Sequence, residues 1–155
     1  MKSIALFFAS IVLMGIISCS DDEPILSFED QLAKDIEIID DYLENEEITA
    51  AIHDSGIRYV ITEEGNGIKP TLADDVTAKY EGRFLDGKVF DASTLGATFP
   101  LSRVIEAWRI TVPLISVGGK ITIYAPSGYC YGRSGRTGIP KNKILVFDIE
   151  LIGIQ

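Results

Sequence analysis

Histidine and cysteine are almost missing from this chain. His53 is its sole imidazole, and Cys19 and Cys130 are its only thiols. A histidine-based catalytic triad and a histidine-rich metal site are therefore excluded. Two cysteines cannot build a disulfide framework. Cys130, set between Tyr129 and Tyr131, is expected to be a small buried filler rather than a reactive thiol. The acids of residues 21–47 lack calcium-loop spacing, and Gly118-Gly119 reads as a turn between strands with no phosphate-loop pattern around it. There is no internal repeat and no low-complexity tract. No metal and no cofactor is expected.

Positive charge is scarce and unevenly placed. The formal net charge is −9. Residues 21–47 hold twelve acids against Lys34 alone, whereas residues 48–155 hold eleven acids and twelve bases. A nearly neutral C-terminal region has no basic footprint for nucleic acid. The acidity in front of it favours solubility and keeps the chain off anionic surfaces.

A long apolar run occurs only at the start, where Lys2 precedes Ile4 to Ile17. This is the layout of a secretory signal over residues 1–18, too short and too abruptly ended for a membrane span. Its closing tetrad, Ile16-Ile17-Ser18-Cys19, resembles the lipobox of bacterial lipoproteins, in which the cysteine becomes an acylated N-terminus. The other reading is a cleaved signal with an incidental cysteine. Acyl chains contribute about 0.8 kcal/mol per buried methylene, so a multiply acylated Cys19 would hold the chain on a membrane. Ser20-Asp21-Asp22-Glu23 opens a tether over residues 19–26. It is similar to the surface-export signal of some outer-membrane lipoproteins, leaving a periplasm-facing and a surface-exposed anchor both open.

Between residues 27 and 53, Leu32, Ile36, Ile39 and Leu43 recur at helical spacing on an otherwise acidic background. This is the stripe of an amphipathic helix, with Ser27 and Asp30 as its start signal. The stripe must bury itself against the folded domain, a second copy or a partner. After Gly56 the period becomes two, in Ile57, Tyr59, Ile61 and in Val76, Ala78, Tyr80, which predicts strands with one solvated face. Asp86-Gly87 and Gly65-Asn66-Gly67 are turn signals. A short helical piece over 104–108 and further strands over 115–124 and 144–152 complete an α+β domain large enough to bury its own core.

Four stretches carry the chemistry: Tyr80 to Asp91, Val104 to Trp108, Tyr129-Cys130-Tyr131-Gly132, and Leu145-Val146-Phe147-Asp148. Each alone would be ordinary core packing. One detail argues otherwise, since the Asp91 carboxylate beside core aromatics needs a hydrogen-bond partner and Tyr80 has a hydroxyl to offer. Taken in order, the four stretches resemble the FKBP family of peptidyl-prolyl cis-trans isomerases.

That resemblance implies an antiparallel sheet of about five strands wrapped around one short helix, over residues 54–155, behind the N-terminal amphipathic helix. It implies an apolar pocket that lowers the barrier to rotation about X-Pro bonds of proline-containing polypeptides. Trp108 would be the floor, with Tyr80, Phe90, Val104, Ile105 and Phe147 as walls and Tyr131 and Ile139 at the rim. In the family, the main-chain N–H at Ile105 and the hydroxyl at Tyr131 bond substrate carbonyls, and the carboxylate at Asp91 lies beside the bound group. Tyr80, Phe90, Asp91, Tyr131 and Phe147 are thus the implied catalytic set, and Val104, Ile105, Trp108 and Ile139 the substrate-binding set. A homodimer through the helix is a further option, and a non-catalytic binding module using the same pocket is the rival function.

The chain departs from the family pattern in three places. Ala97 stands where an aromatic is expected shortly before Phe99, the segment from 99 to 104 is about two residues short, and the flap after Tyr131 is trimmed by one. Arg136 stands where small members often carry histidine, and with Arg133 on the same flap it would either favour acidic peptides or, the preferred reading, simply solvate a loop. One pocket wall is therefore expected to be open.

Overall fold

The computed structural model describes residues 25–155. The signal-like segment, Cys19 and most of the acidic tether lie outside the described residues. No helix among those described is long and apolar enough to cross a membrane.

Helix α1 spans Phe28–Asn45. Ser27 caps it: the Asp30 N–H donates to Ser27 Oγ at 3.1 Å, and that hydroxyl donates to the Asp30 carboxylate at 2.8 Å. One free N–H of the first turn is thus satisfied by the cap, and the second bond holds the hydroxyl in place. The helix stops well short of residue 53. Glu47 takes a left-handed conformation at φ 55°, the Ile48 N–H reaches Leu43 O at 2.8 Å, and the Glu47 N–H reaches Glu44 O at 3.1 Å. This is a Schellman stop. Glu44, Glu46 and Glu47 crowd the negative end of the helix dipole, which disfavours another turn. The chain then runs as β1 (Ala51–Ile52), a two-residue strand the periodicity did not signal.

The strands that follow are β2 (Arg58–Glu63), β3 (Asp75–Arg83), β4 (Val89–Pro100), β5 (Lys120–Ala125) and β6 (Leu145–Ile154), with helix α2 (Glu106–Thr111) between β4 and β5. They form one antiparallel sheet in the order β1-β2-β5-β6-β3-β4. The expected α+β class is found, with six strands. Asp86-Gly87 closes the β3–β4 hairpin, with Gly87 at φ 83°. Strand β5 begins at Lys120 rather than at 115, because Ser116 to Gly119 is consumed by a tight turn in which Gly118 has φ 86°. The lone histidine serves the turn before β2, where His53 Nδ1 accepts from the Ser55 N–H at 3.1 Å.

The two faces of the sheet are covered by different helices. Inward residues Val76, Ala78, Ile121, Ile123, Phe147, Ile149 and Leu151 pack on Ala107, Trp108 and Val112. On the opposite face, Tyr124, Ile144 and Val146 receive Ile39 and Leu43 of α1. Of the options for the helical stripe, packing on its own domain is the one adopted. Leu32 and Ile36 rest on Gly56, where an added Cβ would come within 2.8 Å of Ile36 Cδ1.

Two acids of α1 fix the docking, Asp40 from the exposed edge of the helix and Asp35 from its buried side. Asp40 forms a two-pronged pair with the buried Arg58, at 2.8 and 2.7 Å. Asp35, 1% exposed, accepts from the Ser127 N–H at 2.7 Å, the Ser127 hydroxyl at 2.6 Å and Gln31 at 2.7 Å. Phe28 adds an edge-to-face contact with Tyr129 at 5.7 Å.

Candidate active site

Trp108 lies on α2, one turn beyond Ile105, with its indole buried. Three rings stand nearly perpendicular to it: Tyr80 at 5.2 Å and 84°, Phe99 at 6.0 Å and 84°, Phe147 at 5.9 Å and 90°. Edge-to-face pairs of this kind each add about 0.5–1.5 kcal/mol beyond their buried area. They build an apolar cavity of about 320 Å³ over the indole, lined also by Asp91, Arg103, Val104, Ile105, Tyr131 and Arg136.

Seven of the nine residues implied by the resemblance line this cavity: Tyr80, Asp91, Val104, Ile105, Trp108, Tyr131 and Phe147. Phe90 stands behind Phe147 at 5.7 Å and 88°. Together with Ile139 it lines an adjoining recess that shares Asp91, Tyr131 and Arg136 with the main cavity. Arg133 lines neither.

Backbone irregularities aim these side chains. Gly82 pairs with Asp91 and Arg83 with Val89, so Phe90 is the unpaired residue of a bulge. Consecutive Phe90 and Asp91 can then both serve the concave side, which a regular strand forbids. Gly82 leaves room for the Phe90 ring, since a Cβ there would stand 2.7 Å from Phe90 Cζ and 3.0 Å from Phe147 Cε1. A second bulge separates the pairs Ala78–Ala97 and Tyr80–Ser93. It takes up three residues of β4 and throws Leu95 outward. Past it, Phe99 faces the same side as Ala97 and closes the wall expected to be open. Period-two counting carried across the bulge from Phe90 loses the frame, whereas a count restarted beyond it at Ala97 reaches Phe99.

The short helix begins later than the sequence suggests. Ile105 is extended and acts as the cap of α2, its carbonyl accepting from the Trp108 and Arg109 N–H groups at 3.0 and 3.2 Å. Its own N–H makes no hydrogen bond with another described residue. Trp108 Nε1 is likewise buried without a partner among the described residues.

Polar groups at the rim are paired. The Tyr80 hydroxyl donates to Asp91 at 2.9 Å, the bond anticipated from sequence. Arg136 Nη1 donates to the Tyr131 hydroxyl oxygen at 3.1 Å, with the guanidinium 5.6 Å from the ring centre. Burial, followed by the bond to Asp91, pushes the Tyr80 phenol up to about 12. The bond to Tyr131 raises Arg136 further above its ordinary value. Cys130 packs against the core, and burial drives its thiol far up, which agrees with an inert filler.

These shifts give a pH prediction. Tyr80 has its folded midpoint above the value near 10 of an unfolded chain, so its protonated form adds stability below pH 10 that is lost as pH rises through about 12. A tyrosine-selective titration by ultraviolet absorbance or NMR is expected to show one ring titrating late. Asp91→Asn should move it only part of the way back, because burial remains the larger cause.

Residues 66–152 match the profile of the FKBP-type peptidyl-prolyl cis-trans isomerases, and the chain belongs to that family. It is 46% identical over 104 residues to the probable FKBP-type isomerase FkpA of Neisseria meningitidis serogroup B, covering 64% of this chain and 38% of that protein. It is 39% identical over 105 residues to the peptidyl-prolyl cis-trans isomerase Mip of Coxiella burnetii, covering 65% of this chain and 46% of that one. The chain thus spans less than half the length of these curated relatives. Among solved structures, FkpA from Escherichia coli superposes with a TM-score of 0.72 at 34% identity, over 82% of this chain and 60% of that one. A peptidyl-prolyl isomerase from Pseudomonas syringae pv. tomato gives 0.69 at 29% identity, over 86% and 99%.

Proposed function

We propose that this chain is a peptidyl-prolyl cis-trans isomerase acting on proline-containing segments of exported proteins. The observation that carries the reading is the Trp108-floored cavity walled by Tyr80, Phe99 and Phe147. Rotation about a peptide bond costs about 18–20 kcal/mol, because the planar amide must lose its resonance. Twisting an X-Pro bond removes charge separation from the amide. An apolar cavity therefore favours the twisted form over the planar one, and shape complementarity to that form lowers the barrier.

The residues divide the work as follows. Trp108, Val104, Ile105 and Phe147 receive the pyrrolidine ring, with Phe90 and Ile139 supporting the neighbouring recess. The free Ile105 N–H donates to a substrate carbonyl. The Tyr131 hydroxyl oxygen already accepts from Arg136, which leaves its own proton to donate to a second carbonyl. Asp91, fixed by Tyr80, lies beside the rotating amide. No covalent step is required.

Residues 25–155 contain both cores and every described element, so they are the unit to assay; cutting at residue 48 would strip the cover from Tyr124, Ile144 and Val146. The cis-to-trans rate of a short X-Pro peptide is expected to rise with this unit. Tyr131→Phe and Asp91→Ala should each reduce kcat/KM by roughly tenfold or more, the scale of losing a group that acts in the transition state, with circular dichroism unchanged. A folded unit that accelerates no peptide would replace this reading with a binding module using the same cavity.

We further infer that the chain is held at a bacterial outer membrane by acylation of Cys19. A relative 37% identical over 105 residues is named outer membrane protein MIP, from Legionella longbeachae. Mass spectrometry of the membrane fraction is expected to find an acylated N-terminus at Cys19. Cys19→Ser should release the chain to the soluble fraction; unchanged membrane retention would refute the anchor.

A further inference from the structure

We propose that Arg103 and Arg136 make this cavity selective for X-Pro segments with an acidic residue next to the proline, an inference that rests on the isomerase reading above. The two guanidiniums reach the cavity from separate segments. Arg103 ends the turn Leu101–Arg103 just before Val104 and Ile105, and Arg136 sits in the loop after Tyr131. Both line the cavity and both are exposed. Neither forms an ion pair with a described residue. Glu106, close to Arg103 in sequence, is not its partner.

The charge balance at the mouth follows from this. Asp91 is the one carboxylate lining the cavity, and it is engaged by Tyr80. The neutral Tyr80 donor leaves the Asp91 charge in place, where it also attracts Arg136, so two cations face one anion and the mouth keeps an excess of one positive charge. Their field is concentrated by the apolar walls around Trp108. Arg136 is also held in place by its bond to Tyr131 and its position near that ring. A guanidinium has five donors in a fixed fork, so one bond to Tyr131 leaves others for a carboxylate. The apolar seat for proline is indifferent to the neighbouring residue; the arginines are not. They attract Glu or Asp beside the proline and repel Lys or Arg, and both effects widen the discrimination.

The test compares short peptides carrying Glu, Gln or Lys immediately before proline, and a second set carrying them immediately after. They are assayed at low salt with residues 25–155 and with Arg103→Gln, Arg136→Gln and the double variant. The kcat/KM for Glu is expected to exceed that for Lys by roughly five- to tenfold in at least one set, the scale of two partly exposed ion pairs. The ratio should fall in each single variant, vanish in the double, and shrink in 1 M salt, where screening acts within about 3 Å. The ratio is the readout because Arg136 also touches Tyr131, so absolute rates will change. Equal rates for Glu and Lys peptides in both sets, or a preference that survives in the double variant, would overturn the selectivity and leave the isomerase reading intact. Failure to accelerate any peptide would remove both.

Discussion

Asp35→Ala is expected to lower the stability of residues 25–155 by about 2–4 kcal/mol, on the scale of orphaned buried donors. The Asp35 carboxylate is buried and collects the Ser127 N–H, the Ser127 hydroxyl and the Gln31 amide. Removing it leaves two donors of Ser127, itself fully buried, with no acceptor. Asn at the same position keeps one acceptor oxygen and should cost less. The contact joins α1 to the turn that leads into Tyr129 and Tyr131, so its loss should also loosen the helix. Urea unfolding would show a lower midpoint for Asp35→Ala than for Asp41→Ala, whose side chain is exposed. Equal midpoints would mean that the helix is docked without help from Asp35, by its apolar contacts and the Asp40–Arg58 pair.

Gly82→Ala should have the largest effect on the site from a single methyl group. The new Cβ would stand 2.7 and 2.9 Å from Phe90 and 3.0 Å from Phe147. These are closer approaches than packed carbons tolerate, so one ring must move. Phe147 is held edge-on to Trp108 and Phe90 edge-on to Phe147, which transmits the shift to the cavity floor. Overpacking of this kind costs about 1–3 kcal/mol. Displacing a wall by a fraction of an ångström should reduce kcat/KM by roughly 10- to 100-fold. Phe90→Leu in the same chain frees the space that the Cβ needs. The double variant should therefore be more stable than the sum of the two single changes predicts. Strict additivity would show that the rings do not meet at Gly82.

Much of the site was legible in the sequence through the ordered motifs that resemble the FKBP family, and one contact through residue chemistry. A carboxylate next to an aromatic needs a donor, and Tyr80 supplied it to Asp91 as expected. Trp108, Phe147 and Tyr131 each sit in a short ordered motif, and all three meet at one cavity. Phe99 escaped because its place depends on a bulge between Ser93 and Ala97, and a bulge changes which face a residue serves without leaving a periodic trace. Arg103 escaped for a related reason. It lies in a turn, where no period indicates direction. The end of α1 was missed because Glu47, rather than the usual glycine, takes the left-handed stop.

Composition and spacing by themselves determined that this chain would form an α+β domain with an amphipathic helix in front. They also determined that neither a histidine triad nor a disulfide framework could be built from it. Those conclusions follow from local patterning and residue inventory, which do not depend on how the chain closes. Tertiary structure alone decided that the helical stripe is spent on Tyr124, Ile144 and Val146, that Asp35 of an acidic helix turns inward while Asp40 pairs with Arg58 at its edge, and that Phe99 completes the wall around Trp108. Each of those outcomes depends on which surfaces meet across long sequence separations, where burial of apolar area and the need to satisfy buried polar groups select one packing.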